Sequence, residues 1–187
     1  MKTTIRNTIA GGILTATVAG LGIFSIASAA PTGRATDPKL NDPTIVAIFD
    51  AANTWDIETG NLARVKGHTK AVREFGEMLA RDHKAVRQQG RDLAAKLGVT
   101  PTPPADFGMA KDHAAAMTQL KSLRGAAFDR AFLAHEAAYH KAVLDAVTST
   151  LLPALQNAEV KDLVNKVAPA FNAHMVKAQS LLDQYPK

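Results

Sequence analysis

The sequence predicts an all-α domain: four long helices in a bundle, with an extra short helix in the connection between the second and the third. Three observations lead there. Apolar residues recur at steps of three and four along four long segments, the period of one helix face. Alanine, the strongest helix former, is abundant, and aromatic residues make up only 5% of the 187. Capping residues and Gly or Pro breakers stand at the ends of these segments.

Before the helices come two other segments. Residues 1–29 read as a secretory signal. Lys2 and Arg6 give a positive start, an apolar run follows from Ile9 to Ile26, and Ala27-Ser28-Ala29 is the small-x-small pattern a signal peptidase needs. The run approaches the length of a spanning helix, but Gly and Thr make it only mildly apolar, so cleavage after Ala29 is expected. Residues 30–41 form a polar linker carrying Pro and Gly. Residues 42–187 form a single helical domain.

In the first long helix, Asp42 is the expected N-cap and Pro43 suits the first turn. Ile45, Ile48, Phe49, Ala52, Trp55, Thr59 and Leu62 follow at helical spacing, with Trp55 expected in the core and Gly67 at the end. The second helix starts near Thr69. Its residues Val72, Gly76, Leu79, His83, Val86, Gly90, Leu93 and Leu97 alternate steps of four and three, an a/d seam whose glycines permit close helix approach. Gly98, Pro101, Pro103 and Pro104 stop it. Asp106 is expected to cap the short helix, which ends near Leu123. The third long helix, from Ala126 to Val147, carries one stripe through Phe128, Phe132, His135 and Tyr139 and a neighbouring one through Leu133, Ala137, His140 and Leu144, and Pro153 closes it. The fourth begins near Asn157 and buries Val160, Val164, Val167, Phe171, His174, Ala178 and Leu181, with Pro169 inside it and expected to kink it. The long second-to-third connection can act as a crossover, as in ferritin-like folds. The direction of the third helix relative to the second stays open.

Composition removes several classes of function. The absence of cysteine rules out disulfides, thiolate metal sites and a Cys nucleophile. The net charge of +5 falls by two once the first 29 residues, with Lys2 and Arg6, are removed. The remaining Lys and Arg are mixed among acids, so no nucleic-acid partner is expected. Neither a Gly-rich phosphate loop nor a G-x-S-x-G elbow occurs, and no carboxylate pair is placed as in a glycosidase.

Chemistry would reside in the histidines. His83, His140 and His174 fall on expected buried faces of three helices, and Glu58 and Asp56 lie near the Trp55–Leu62 face of the first. Imidazole suits zinc, copper, iron or nickel, and bundles build such sites from facing helices. One reading is therefore a transition-metal site of Glu58, His83, His140 and His174, with Asp82, Asp129, His135 and Glu136 around it. Against it, no Glu-x-x-His of the di-iron type precedes any of these histidines. At ~1.5 Å per residue Glu58 and His83 differ in level by roughly 10 Å, and His140 and His174 by several ångströms. The other reading is neutral, hydrogen-bonded core histidines, with Asp82 and Asp129 as caps or ion pairs. The sequence favours this second reading and a non-enzymatic binding protein.

Several motifs in order carry a family resemblance: Phe49-Asp50-Ala51-Ala52 with Glu58 and Leu62-Ala63; Val72-x-x-Phe75-x-x-Met78-x-x-x-Asp82-His83; Gly125-Ala126-Ala127-Phe128-Asp129-Arg130-Ala131-Phe132-Leu133 with His140; then Pro169 and His174. From about residue 43 to 183 the chain resembles the bacterial exported family catalogued as domain of unknown function 4142, often labelled an outer membrane protein. Phe132 stands where that family is expected to have tyrosine. The resemblance implies a ferritin-like bundle in the periplasm or envelope and no assigned reaction. Outer-membrane spanning needs a β-barrel, and a lipid anchor needs a cysteine, so a soluble periplasmic or secreted protein is expected. An envelope partner or a homo-oligomer fits such a protein.

Overall fold

A computed structural model describes residues 40–104 and 107–185. The signal segment, nearly all of the linker and the expected cap Asp106 lie outside the described residues. The elements are α1 (Asp42–Lys66), α2 (Lys70–Leu97), α3 (Gly108–Ser122), α4 (Gly125–Ala146), a π-helical turn (Val147–Leu151), the one-turn α5 (Leu152–Ala154) and α6 (Ala158–Leu182). No strand occurs among the described residues, and no described helix is long and apolar enough to cross a membrane.

Two apolar clusters set the helix directions. One joins Ile45 of α1, Val86 and Ala94 of α2, Val143 of α4 and Val160, Val164 and Phe171 of α6. The other joins Ala63, Val72, Phe75, Leu79, Phe128, Phe132, Ala178 and Leu181. The start of α2 therefore meets the start of α4, and their ends meet too. They run parallel, while α1 and α6 run the other way. A parallel α2–α4 pair requires the intervening segment to return along the bundle, and α3 lies in this crossover, the single-crossover ferritin-like topology.

The helix ends show how side chains lock this order. Asn41, not Asp42, caps α1, its side chain accepting from Thr44 N at 3.0 Å. Asp42 reaches across the bundle instead and accepts from Gln156 N (2.8 Å) and Asn157 N (2.9 Å). Asp129 does the same for the other hairpin, accepting from His68 N (2.8 Å), Thr69 N (2.9 Å), Thr69 Oγ1 (3.0 Å) and Tyr185 Oη (2.7 Å). Thr69 and Asn157 in turn cap α2 and α6. Each interhelical turn is thus held by an aspartate near the start of the opposite hairpin, satisfying backbone donors that burial would orphan.

Close packing explains the glycines of the α2 seam. A Cβ on Gly76 would stand 2.6 Å from Gly60 O, and one on Gly60 the same distance from Gly76 O, so α1 and α2 touch backbone to backbone. The π-helical turn has a local cause. Thr148 and Ser149 hydroxyls donate back to Leu144 and Asp145 carbonyls, and Pro153 has no N–H for the turn before it. Trp55 leaves the expected core position. It is half-buried at the α1–α3 junction, with ring centroids 5.3 Å from His113 and 5.2 Å from Phe107. Lys66 fastens the other end of α3, donating to Leu120 O (3.2 Å) and Lys121 O (2.6 Å).

Asp129→Ala strips the acceptor from two backbone N–H groups and two hydroxyls. Urea unfolding is expected to show a loss of about 2 kcal/mol or more. The exposed Asp145→Ala control should stay within about 0.5 kcal/mol.

Candidate metal centre

Four core-facing seams meet at mid-height. On α1 the buried residues include Ala52, Asn53, Asp56, Thr59, Gly60 and Ala63, so Asp56 shares the inward stripe with alanine and glycine. On α4 the buried seam runs through Asp129, Phe132, Leu133, Glu136, His140 and Val143. His83 lies between Leu79 and Val86 on α2, and His174 between Phe171 and Ala178 on α6. The two apolar clusters are separated here by a polar layer of Asn53, Asp56, Thr59, His83, Glu136, His140 and His174, each at most 4% exposed.

The hydrogen bonds around the three imidazoles assign their protons. His140 Nδ1 faces the Glu136 backbone carbonyl at 3.0 Å. A carbonyl only accepts, so Nδ1 carries the hydrogen. His83 Nδ1 faces Asn53 Oδ1 at 2.9 Å, and that amide is oriented by its own Nδ2 donating to Phe49 O at 2.8 Å. His83 therefore donates through Nδ1 as well. His174 donates through Nε2 to Asp82 Oδ2 at 3.2 Å. The remaining nitrogens are all acceptors, and they converge. His83 Nε2 is 3.2 Å from His174 Nδ1 and 3.3 Å from His140 Nε2. All three lie within 4.8 Å of one another.

Three neutral imidazoles thus point lone pairs at each other in the core. A shared proton is a poor remedy, because the site resists charging. Burial, then its two histidine neighbours, push His83 down to about 2. Burial, then His174, push His140 down to about 3. Burial lowers His174 as well, with Asp82 pulling the other way. Two carboxyls complete the layer. Asp56 Oδ2 is 3.4 Å from His83 Nδ1 and Asp56 Oδ1 is 3.9 Å from His140 Nε2. Glu136 Oε2 is 3.5 Å from His140 Nδ1. Asp56 Oδ1 and both Glu136 oxygens are buried without a hydrogen-bond partner. Burial pushes Glu136 up to about 7, against the nearby Thr59 hydroxyl and Asp56, and raises Asp56 well above the usual carboxylate range, with Glu136 adding to it.

Of the residues named from sequence, the structure brings together His83, His140, His174, Glu136 and, through His174, Asp82. It separates the others. Glu58 is half-exposed and pairs with His113 Nε2 at 2.8 Å. Two positions earlier on the same helix, Asp56 faces inward in its place. Asp129 is remote, holding the α1–α2 turn. His135 stacks on Tyr139 (centroids 5.7 Å apart), and burial with nearby His113 holds it at about 4. The expected difference in level between His140 and His174 is overcome by side-chain lean. Cβ atoms tilt toward each helix's N-terminus, so side chains on antiparallel α4 and α6 lean toward one another along the axis. The same lean brings His83 to Asp56. Asn53 and His113 are partners the sequence reading does not name, while Asp56, named there beside Glu58, is the acid of α1 that faces the histidines. Asp56 and Asn53 had one legible signal, a polar residue in phase with Ala52, Thr59 and Ala63.

Comparison with known proteins bears on the fold. The profile of the family described as "Domain of unknown function (DUF4142)" matches residues 27–181. Among solved structures, the crystal structure of a DUF305 fragment from Deinococcus radiodurans is similar, with a TM-score of 0.67 at 16% identity over 76% of this chain and 95% of that one. No curated protein matches the chain.

The shifted groups set the response to acid. Unfolded histidines take protons below their ordinary 6.5, while folded His83 and His140 do not until about 2 and 3. Each therefore removes stability as pH falls, by about 1.4 kcal/mol per pH unit. Glu136 and Asp56 work oppositely above their ordinary 4.5 and 3.8, where the folded state holds the extra protons. Metal-free protein should lose stability shallowly from pH 7 to 4.5 and more steeply below 3.8, where the two carboxyls no longer offset the histidines. His140→Leu should reduce the lower slope by roughly 1.4 kcal/mol per pH unit in urea unfolding; an unchanged slope contradicts the assignment of a buried neutral imidazole.

Proposed function

The chain belongs to the DUF4142 family, and we propose that it acts by holding one divalent transition-metal ion between His83, His140, His174 and Asp56. The observation that carries this is the convergence of three acceptor nitrogens whose partner nitrogens are each tied to a fixed oxygen. Metal-bound imidazole is held in the same way, its second nitrogen donating to a carbonyl or carboxylate. Ligands at 2.0–2.1 Å in tetrahedral array stand about 3.3 Å apart, and two of the nitrogen pairs stand at 3.2 and 3.3 Å. Asp56 Oδ1, buried and 3.9 Å from His140 Nε2, is the oxygen we assign as the fourth donor. Charge supports a single ion, because a divalent cation with ionised Asp56 and Glu136 is neutral overall, and the core tolerates nothing else cheaply.

Three imidazoles select zinc, copper, iron or nickel over calcium and magnesium. Ligand side chains at most 4% exposed leave an ion little contact with substrate, so the reading is retention of the ion, not turnover. The test is elemental analysis and competition titration of the chain from Ala30 to Lys187 with Zn²⁺. One ion per chain is expected, with melting raised by about 5 to 10 °C at a hundredfold excess over Kd. His83→Ala and His174→Ala, each checked for helicity, should each cost more than the 10- to 100-fold typical of losing an outer partner. Absence of stoichiometric metal, or full affinity in both variants, contradicts the reading.

We further propose export, supported by Lys2, Arg6, the apolar run and Ala27-Ser28-Ala29. Protein recovered from the periplasm or medium should begin at Ala30 on N-terminal sequencing. An intact Met1 in the cytoplasmic fraction contradicts export.

A further inference from the structure

A site sealed in a bundle core needs a way in, and the packing leaves one polar route. The outward nitrogen of His83 ends on Asn53 (1% exposed), with Asp56 (3%) behind it, and that of His140 ends on the backbone of Glu136 (0%). Neither chain of contacts reaches water. His174 differs. Its Nε2 donates to Asp82, whose side chain is 33% exposed. Asp82 spans the seam between α2 and α6, with Oδ2 turned inward to His174 and Oδ1 outward to Arg81, where Nε and Nη2 each stand 2.9 Å away. The Arg81 side chain is 69% exposed.

The remaining seams offer no such path. Gly60 and Gly76 close α1 on α2 through backbone contact. Trp55, His113 and α3 cover the α1–α4 side, where Tyr139 donates to Ala52 O at 3.3 Å. The α4–α6 side carries a groove whose lining includes Ala134, Ala137, Lys141, Met175, Gln179 and Asp183; Lys141 bonds to Asp145 and Gln179 to Asp183, so these polar groups pair along their own helices and not with the three imidazoles. Within α6, Pro169 removes one backbone hydrogen bond in the turn before His174.

We propose that Asp82 and His174 form the port through which a divalent cation reaches the centre, with Arg81 as the counter-charge that closes it. Asp82 meets the cation first, as the carboxylate that shares a hydrogen bond with a ligand of the centre and still reaches solvent. The His174 ring, already bonded to Asp82 on one nitrogen and facing the centre with the other, passes the ion inward. Arg81 occupies the outer oxygen of Asp82 and repels an approaching cation until it swings into solvent. This rests on the metal-holding reading and adds the order in which an ion meets the residues.

The experiment is stopped-flow binding of Co²⁺ to the chain from Ala30 to Lys187, read by its visible ligand-field absorption, at low and high salt. Arg81→Gln touches none of the four proposed ligands. It should raise the association rate about three- to tenfold at low salt, an effect that shrinks at high salt. Asp82→Asn keeps one oxygen to accept from His174 Nε2, and removes the charge together with the oxygen that accepts from Arg81. It should slow association about tenfold with one ion still bound at saturation. If Asp82 served only to orient the His174 ring, both association rates would match the wild type, and that result overturns the port. Wild-type protein that binds no Co²⁺ overturns the centre, and the port with it. Circular dichroism checks the fold of each variant, and Arg81→Gln alone decides the matter if Asp82→Asn does not fold.

Discussion

Every imidazole in the centre spends its single proton on an oxygen outside the cluster, and that constraint organises the middle of the molecule. The Glu136 carbonyl, the Asn53 amide and Asp82 take those protons. Three acceptor nitrogens are left facing one another, two of the pairs at 3.2 and 3.3 Å. In an apolar core such an arrangement is costly. The polar layer displaces apolar contacts as well, splitting the core into one cluster at each end. In the proposed reading, a divalent cation turns the same geometry from repulsive to favourable, with Asp56 as its carboxylate ligand.

The bundle's ends hold the layer in register. Asp42 and Asp129 each clamp the turn of the opposite hairpin, and Gly60 against Gly76 fixes the separation of α1 and α2. Together these contacts fix the levels of α1, α2, α4 and α6 to within the reach of a side chain. The DUF305 fragment, at 16% identity, shares this overall fold.

Much of the fold was legible in the sequence. The α2 seam, the helix starts near Thr69 and Asn157, the Gly98 stop and the long connection carrying a short helix are local signals, and local signals survive in a single chain. What was not legible depends on contacts between distant segments. Asp42 followed by proline has the pattern of a cap, yet its carboxylate serves α6, and Asn41 does the capping. Trp55 has core composition but meets α3. The direction of α4 followed only from which apolar residues share a cluster.

The site was legible by half. Histidines in phase with apolar residues stand out, so His83, His140 and His174 could be named. Carboxylates in phase with alanine and glycine do not stand out, so the sequence ranks Glu58 above Asp56, while Glu136 stands beside the histidines, its Oε2 3.5 Å from His140 Nδ1. Counting levels along straight axes set His140 and His174 apart, because the count omits the lean of side chains toward each helix's N-terminus. The most direct test of the centre is X-ray absorption of the Zn²⁺-loaded chain from Ala30 to Lys187. Three imidazoles and a carboxylate oxygen at about 2.0–2.1 Å, with imidazole multiple scattering that diminishes in His140→Ala, is the result this account requires. An all-oxygen shell, or a spectrum indifferent to His140, would contradict it.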